Sequence, residues 1–377
     1  MATANTASQF DGPRPAAMAD RESALESINE VFRVSHGLLP NIHHKYQHVY
    51  APKNLENVMI VKDGSCVVSS TGIWVNQIHL GSATLTVGGI NAVTTLPAYR
   101  RLGLGSKVMA MCADRMKELG CHIGLLGTRI TNWYRKLGWE NAGTVCFFHL
   151  NRSNISLLPE LSTNESVQEL GNEPDDMVFE SLVHLRNHDC LGGSRSVDLM
   201  RVLHRANNQP RVIFALRNGQ PVAYLLIVNR LVKEWAGPGN TVAGLIRAWY
   251  ESNDDLQMST SARDANNEVV FSDHLEVVSP ACGHELPQLF QSINLPCRRY
   301  YLGMILVLDP RAILDAFGHD QIKVNQQGDC YALESGGLAM SATQGQLAKL
   351  LFGPERLGKF SDNILPLPLW QWPFERV

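Results

Sequence analysis

The chain has 377 residues, 45% of them hydrophobic and 18% charged, which supplies a sizeable core and argues against a disordered chain. Lys and Arg total 33 against 36 Asp and Glu, a formal charge of −3, so no basic excess points to nucleic acid or anionic lipid. The longest apolar run, 222–228, is far below the ~20 residues that span a bilayer.

Residues 1–17 are small and polar, with one Arg and no apolar segment. They are expected to be a disordered lead-in rather than a signal peptide, which makes a reducing cytoplasm the default compartment. The eight cysteines are scattered without a C-x-x-C pair, so neither a zinc site nor a redox motif is expected. Leu25, Ile28, Val31 and Phe32 recur at helical spacing and predict a helix over 21–34. Extended stretches follow at 57–62, 66–74 and 77–87, the first two joined by a turn at Asp63-Gly64. A strand at 89–95 leads through Pro97 into a helix over 105–119. A strand at 123–126, a short helix at 132–137 and a strand at 144–150 complete this unit.

From 151 the chain becomes polar and linker-like, and a weaker version of the same order then begins. It reads as a helix over 176–186, a hairpin over 211–228 turning at Asn218-Gly219, and a strand at 231–236. A helix over 241–250 and a strand at 268–271 follow. After Cys297 a shorter unit offers a strand at 302–308, a helix at 310–317, two short strands and a helix at 344–351. The last stretch, 365–374, is apolar, yet Pro366, Pro368 and Pro373 exclude a regular helix. The expected division is a lead-in (1–17), a first unit (18–152), a second unit (153–285) and a small third unit (286–377).

The chemistry concentrates in Ala92-Val93-Thr94-Thr95-Leu96-Pro97-Ala98-Tyr99-Arg100-Arg101-Leu102-Gly103-Leu104-Gly105. Here a strand end and a Pro turn deliver two arginines and two glycines to the mouth of a helix. Glycine lets backbone N–H groups approach a ligand closely, and the helix dipole favours an anion such as pyrophosphate. Arg100 and Arg101 can close on it with charge-assisted bonds. Taken alone, the same residues also fit a polar helix start with two solvated arginines. The G-x-x-x-x-G-K-[ST] spacing of a nucleotide P-loop is absent.

In this context the sequence resembles the GCN5-related N-acetyltransferase (GNAT) superfamily, whose acetyl-CoA loop reads R/Q-x-x-G-x-G/A. Arg100, Gly103 and Gly105 fit that loop. About 30 residues on, Trp133-Tyr134-Arg135-Lys136-Leu137-Gly138-Trp139 resembles the superfamily's aromatic-Tyr-x-Lys-x-Gly-aromatic segment. The resemblance implies acetyl-CoA as co-substrate and no metal, with pantetheine held by Val93, Thr94 and Thr95. It places pyrophosphate on Arg100, Arg101 and the amides of Leu102, Gly103, Leu104, Gly105 and Ser106. Tyr134 is then the acid for the departing thiolate, a reasonable match for a phenol near 10 against a thiol near 8.5. Many members carry a Glu on the strand before the loop; here Gly88-Gly89-Ile90-Asn91-Ala92 has no carboxylate.

The whole-chain order resembles the enhanced-intracellular-survival family of aminoglycoside N-acetyltransferases. That resemblance implies an α/β (α+β) protein with tandem GNAT-type mixed sheets, the second without the loop, and a small sterol-carrier-like α+β C-terminal domain. It also implies a homo-hexamer and a base supplied by the chain's terminal carboxylate, here Val377. Trp370, Trp372 and Phe374 could anchor such a tail, each large ring contributing ~1.5–3 kcal/mol if buried. Arg376 beside that base would repel a polycation, which favours a smaller or less charged amine of a small molecule or peptide. The alternative is a non-catalytic acyl-CoA or lipid-binding module, and O-acyl transfer or a longer acyl donor stays open. His43, His44, Tyr46 and His48 lie where this fold builds its acceptor site, although they also read as a solvated loop. His184 and His188 read as surface residues, and Asp189-Cys190 has no partner in sequence that would make the thiol a nucleophile.

Overall fold

Asp63 and Gly64 close the first hairpin, joining β2 (Val58–Asp63) to β3 (Cys66–Leu80). The computed structural model describes residues 10–171, 174–189, 191–253, 261–263, 269–271, 274–357 and 365–375. β3 does not break near 75 as expected but runs on to Leu80, and the turn into β4 (Ala83–Thr95) falls at Gly81-Ser82. Residues 67–73 of β3 are all buried, so the alternation that marks a half-exposed strand is missing. Upstream, Asp11–Pro15 forms β1, antiparallel to β2, which corrects the expected lead-in from Asp11 onward. Arg14 ties this strand to the buried Asp20, which Lys62 also meets at 2.8 Å. Residues 1–9 lie outside the described residues.

Period-two side-chain placement decides where the first helices pack. Val58 and Ile60 join the cluster under α1 (Arg21–Phe32), whereas Met59 and Val61 join that under α3 (Leu104–Glu118). The two helices therefore cover opposite faces of the sheet. Between and after them come α2 (Ile42–Lys45), β5 (Ile123–Leu126), α4 (Thr131–Arg135) and β6 (Glu140–Leu150).

The next stretch supplies β7 (Glu165–Leu170), α5 (Asp176–His188), β8 (Leu191–Gly193), α6 (Val197–Ala206), β9 (Arg211–Arg217), β10 (Gln220–Val228) and β11 (Leu231–Ala236). It continues with α7 (Gly239–Glu251), β12 (Ser261–Arg263), β13 (Val269–Phe271), β14 (Leu275–Pro280) and α8 (Glu285–Ser292). Last come β15 (Cys297–Val307), α9 (Pro310–Ala316), β16 (Lys323–Gln327), β17 (Cys330–Ser335), β18 (Leu338–Thr343) and α10 (Gln344–Phe352).

Among the described residues, thirteen strands form one mixed sheet, ordered β1-β2-β3-β4-β5-β15-β6-β14-β11-β10-β9-β7 with β8 on β3. The positions 152/153 and 285/286 are accordingly not breaks in the sheet. β14 pairs with β6, and β15 enters the first unit between β5 and β6. Among the described residues, β16–β18 form a separate three-stranded sheet and β12 and β13 a two-stranded one. No helix among the described residues is long and apolar enough to cross a membrane.

The apolar tail is core. Leu365, Leu367, Leu369, Trp370, Trp372 and Phe374 are all buried. The Trp372 indole donates to the Leu191 carbonyl at 2.9 Å. Glu375 Oε1 accepts from the Gly193 amide at 2.9 Å and from Arg195 Nη2 at 2.7 Å, and Arg195 also forks onto Glu234 at 2.6 and 2.8 Å.

Candidate active site

β4 and β5 run parallel only from Val87–Ile123 to Gly89–Leu125. Beyond that point β4 pairs with β3 alone, and a bulge falls between the Asn91–Gly72 and Thr94–Ser70 pairs, with Ala92 at φ +51°. A bulge bends its strand, and here the two parallel strands part.

Two chambers fill the opening. One, of about 650 Å³, lies at the start of α3 and is lined by Thr95, Tyr99, Arg101, Gly103, Leu104, Gly105, Ser106 and Trp133. The other, of about 1170 Å³, is walled by the end of α1, by α2, by the β4 bulge and by residues 126–130 after β5. Val31, Val93, Arg100, Ile130 and Tyr134 line both. The chambers thus meet at Tyr134.

α3 begins at Gly103 with φ +75° and no side-chain cap. A side chain there would be strained, and the first-turn N–H groups keep their donors free of side-chain acceptors. With the helix dipole behind them, these amides suit an anion. Thr94 and Leu102 stand apart from the other residues of this stretch. The Thr94 hydroxyl donates to the Ala92 carbonyl at 2.9 Å, its carbonyl accepts from Ser69 Oγ at 2.8 Å, and Leu102 is 53% exposed. Neither lines a chamber.

Tyr134 is buried on α4, its ring edge-on to Trp133 at 4.7 Å and to Trp139 at 6.5 Å. Burial pushes its phenol up to about 12, while a hydrogen bond with Thr128 pulls the other way. The group is protonated at neutral pH and so has a proton to give. Asn91, on the β4 segment 88–92 that carries no carboxylate, is buried and accepts from the Tyr50 hydroxyl at 2.6 Å. An amide there cannot take a proton from an ammonium.

Of the loop residues singled out, Tyr46 reaches the larger chamber, together with Ile42 and Lys45. His43 and His44 are exposed, their rings 3.9 Å apart. His48 is buried edge-on to Trp74 at 4.8 Å, and neither ring nitrogen has a partner. Burial pushes its imidazole down to about 4. His184 and His188 are exposed on α5, and Asp189 is engaged by Arg186 and His284. Cys190 and Val377 lie outside the described residues. Among the described residues no group of three His, Cys, Asp or Glu could hold a metal.

Sequence reasoning missed Arg33, His36, Thr128 and Arg129, all on the wall of the larger chamber. One signal was available for the last two. They follow the carboxyl end of a strand in an α/β sheet, where such crevices form.

Residues 13–142 match the family model described as an acetyltransferase (GNAT) domain. The first unit is a GNAT acetyltransferase domain. GNAT domains use acetyl-CoA as co-substrate, and the match supports acyl transfer as the activity of this part of the chain. A search of curated proteins finds no match to the chain. Among solved structures, a conserved protein from Enterococcus faecalis V583, described as a probable N-acyltransferase, matches with TM-score 0.60 and 13% identity over 88% of this chain and 84% of its own. A GCN5-related N-acetyltransferase from Kribbella flavida matches with TM-score 0.58 and 17% identity over 89% and 83%. Eis1 from Mycobacterium abscessus matches with TM-score 0.58 and 12% identity over 88% and 84%. At these identities the likeness is one of fold, and it extends over most of the chain rather than the first unit alone.

Proposed function

We propose that the protein is an acetyl-CoA-dependent N-acetyltransferase that passes acetyl directly to a primary amine of a small molecule or peptide. One observation carries the reading: Tyr134, a protonated phenol, stands where the anion-binding chamber of α3 meets the larger chamber. Acetyl-CoA would lie with its pyrophosphate on the α3 amides, Arg100 and Arg101, and its pantetheine along Val93 and Thr95. The amine nitrogen attacks the thioester carbonyl, forming the N–C bond, and the C–S bond breaks. Tyr134 gives its proton to the departing thiolate and recovers one from solvent. The ammonium proton of the acceptor goes to the terminal carboxylate, directly or through water. The resemblance further supports a sterol-carrier-like reading of β16–β18 with α10, and a homo-hexameric assembly that sedimentation would test.

The direct test combines calorimetric titration of acetyl-CoA with CoA release across a panel of amines. Binding at one site per chain, with release that depends on the amine, is expected. Binding without turnover on any amine would favour an acyl-CoA-binding module instead.

A further inference from the structure

The larger chamber has a charge of its own. Arg33, Lys45, Arg100 and Arg129 line it, with His36, and among the described residues no Asp or Glu does. This is not compositional, since the chain as a whole is acidic at −3. Elsewhere in the same unit Arg14, Arg115 and Arg135 each hold a carboxylate within 3.5 Å. Among the described residues Arg33, Lys45, Arg100 and Arg129 have none. The Arg33 Nε donates to the Leu39 carbonyl at 3.0 Å, and the Lys45 ammonium lies 5.5 Å from the Tyr46 ring. Arg100 also lines the α3 chamber and is accounted for by pyrophosphate; Arg33, Lys45 and Arg129 do not line it. Among the described residues, three cations therefore face the acceptor side with no Asp or Glu side chain paired to them.

We propose that the acceptor is an anionic amine, a primary amine that also carries a carboxylate or a phosphate. This rests on the acetyltransferase reading above and names the substrate class of the same site. A cleft lined by one sign of charge focuses its field, and such focusing raises the encounter rate of oppositely charged ligands by ~10–10³-fold. Arginine's fork matches either anion. A polycation meets the reverse field. The same cations also bear on the proton that has to leave the acceptor. Like charge nearby disfavours the ammonium form, so the chamber that holds the anion also brings the amine closer to its neutral, nucleophilic state. That lightens the demand on any base, consistent with the absence of a carboxylate from residues 88–92.

Matched pairs test this. Phenylalanine against phenethylamine varies only a carboxylate, and O-phosphoethanolamine against ethanolamine varies only a phosphate. Spermidine and kanamycin represent polycations. CoA release and the mass of the N-acetyl product are read with each, and acetyl-CoA affinity is measured separately by calorimetry. In at least one pair the anionic member is expected to show a kcat/KM ~10-fold or more above its partner, an advantage that shrinks as salt rises and the charges are screened. The pair that responds identifies the anion. Arg33→Gln and Arg129→Gln, at half-buried and exposed positions respectively, should raise KM for that substrate several-fold while acetyl-CoA affinity stays within about twofold. Equal or better turnover of the amines that lack an anionic group, or of the polycations, would overturn the proposal, as would variants with unchanged KM, or acetyl-CoA binding without turnover of either anionic amine. Failure to bind acetyl-CoA at all would instead overturn the acetyltransferase reading beneath it.

Discussion

The molecule contains the same topological gap twice, and the described residues treat the two copies differently. In the first unit β4 and β5 run parallel, part, and leave two chambers in front of α3. In the second, β11 and β14 are also parallel, paired at Leu231–Glu276 and Val232–Val277, and α7 follows β11 as α3 follows β4. There the gap is packed. Trp235 donates to the Val278 carbonyl at 2.9 Å across it, and Trp372 of the tail packs edge-on against Trp235 at 5.1 Å. The helix starts differ in the same sense. α3 has no side-chain cap, whereas the first amide of α7, at Gly239, donates to the Glu285 carboxylate at 3.2 Å. A helix N-terminus binds an external anion only if the protein has not already supplied one. Fold alone thus leaves both gaps eligible, and side chains decide which becomes a site.

The largest expected effect breaks the open copy. Tyr134→Phe removes the one proton donor at the junction of the chambers and should lower kcat by about 10²–10⁴, the usual weight of a general acid. Acetyl-CoA affinity should stay near wild type, because the ring still packs between Trp133 and Trp139. An unchanged kcat would remove Tyr134 from the mechanism.

Next comes the filled copy. Arg195 is fully buried and holds both Glu234 and Glu375, with the Tyr224 hydroxyl also donating to Glu234 at 2.6 Å. Arg195→Ala leaves two buried carboxylates without their cation, a change that typically costs about 3–5 kcal/mol. Denaturant unfolding should show that loss. Retained stability would mean that the carboxylates take up protons at little cost, and that the tail does not depend on this clasp.

A smaller effect separates the two copies by pH. The charges behind the filled gap are paired, whereas His48 lies buried in the first unit with both ring nitrogens unpartnered. Its folded pKa of about 4 lies below the ~6.5 of an exposed imidazole. The unfolded chain therefore binds the extra proton first, and the stability that neutral His48 allows is fully present above ~6.5 and lost as pH falls toward 4. The full difference is worth about 3 kcal/mol. His48→Phe should flatten the decline in unfolding free energy between pH 7 and 4.5. An unaltered acid limb would show that another group drives it.

What could be read from sequence follows the reach of the signal. The Asn218-Gly219 turn, β5 and β11 fall where local pattern put them, because turn chemistry and short apolar runs are contiguous. β14 was missed, and β15 was expected to start at 302 although it begins at Cys297. Residues 298–301 are exposed, so they show no hydrophobic alternation, and their place between β5 and β6 is a pairing across more than 140 residues of chain. The site divides in the same way. The α3 chamber is built mostly from the contiguous stretch 93–106 together with Trp133 and Tyr134, two short segments that stand out in the sequence. The larger chamber draws on residues 31–46, 90–100 and 126–134, so its cationic character emerges only once the bulge of β4 and the turn after β5 bring those segments together.

The smallest effect probes why the second helix start is closed. Glu285→Gln keeps the shape of the plug and removes its charge. Loss of a charged partner at a helix N-terminus is worth about 0.3–1 kcal/mol, so a slight destabilisation is expected. If charge alone kept α7 from binding an anion, the variant should gain a second acetyl-CoA site. Packing argues otherwise. Even a Cβ on Gly239 would meet Glu285 Cβ at 2.7 Å and the Leu286 backbone nitrogen at 2.8 Å, and neither contact depends on the Glu285 charge. Calorimetric stoichiometry should therefore remain one acetyl-CoA per chain. Two per chain would show that the second gap lost its ligand through a single carboxylate rather than through the way α8 packs against α7.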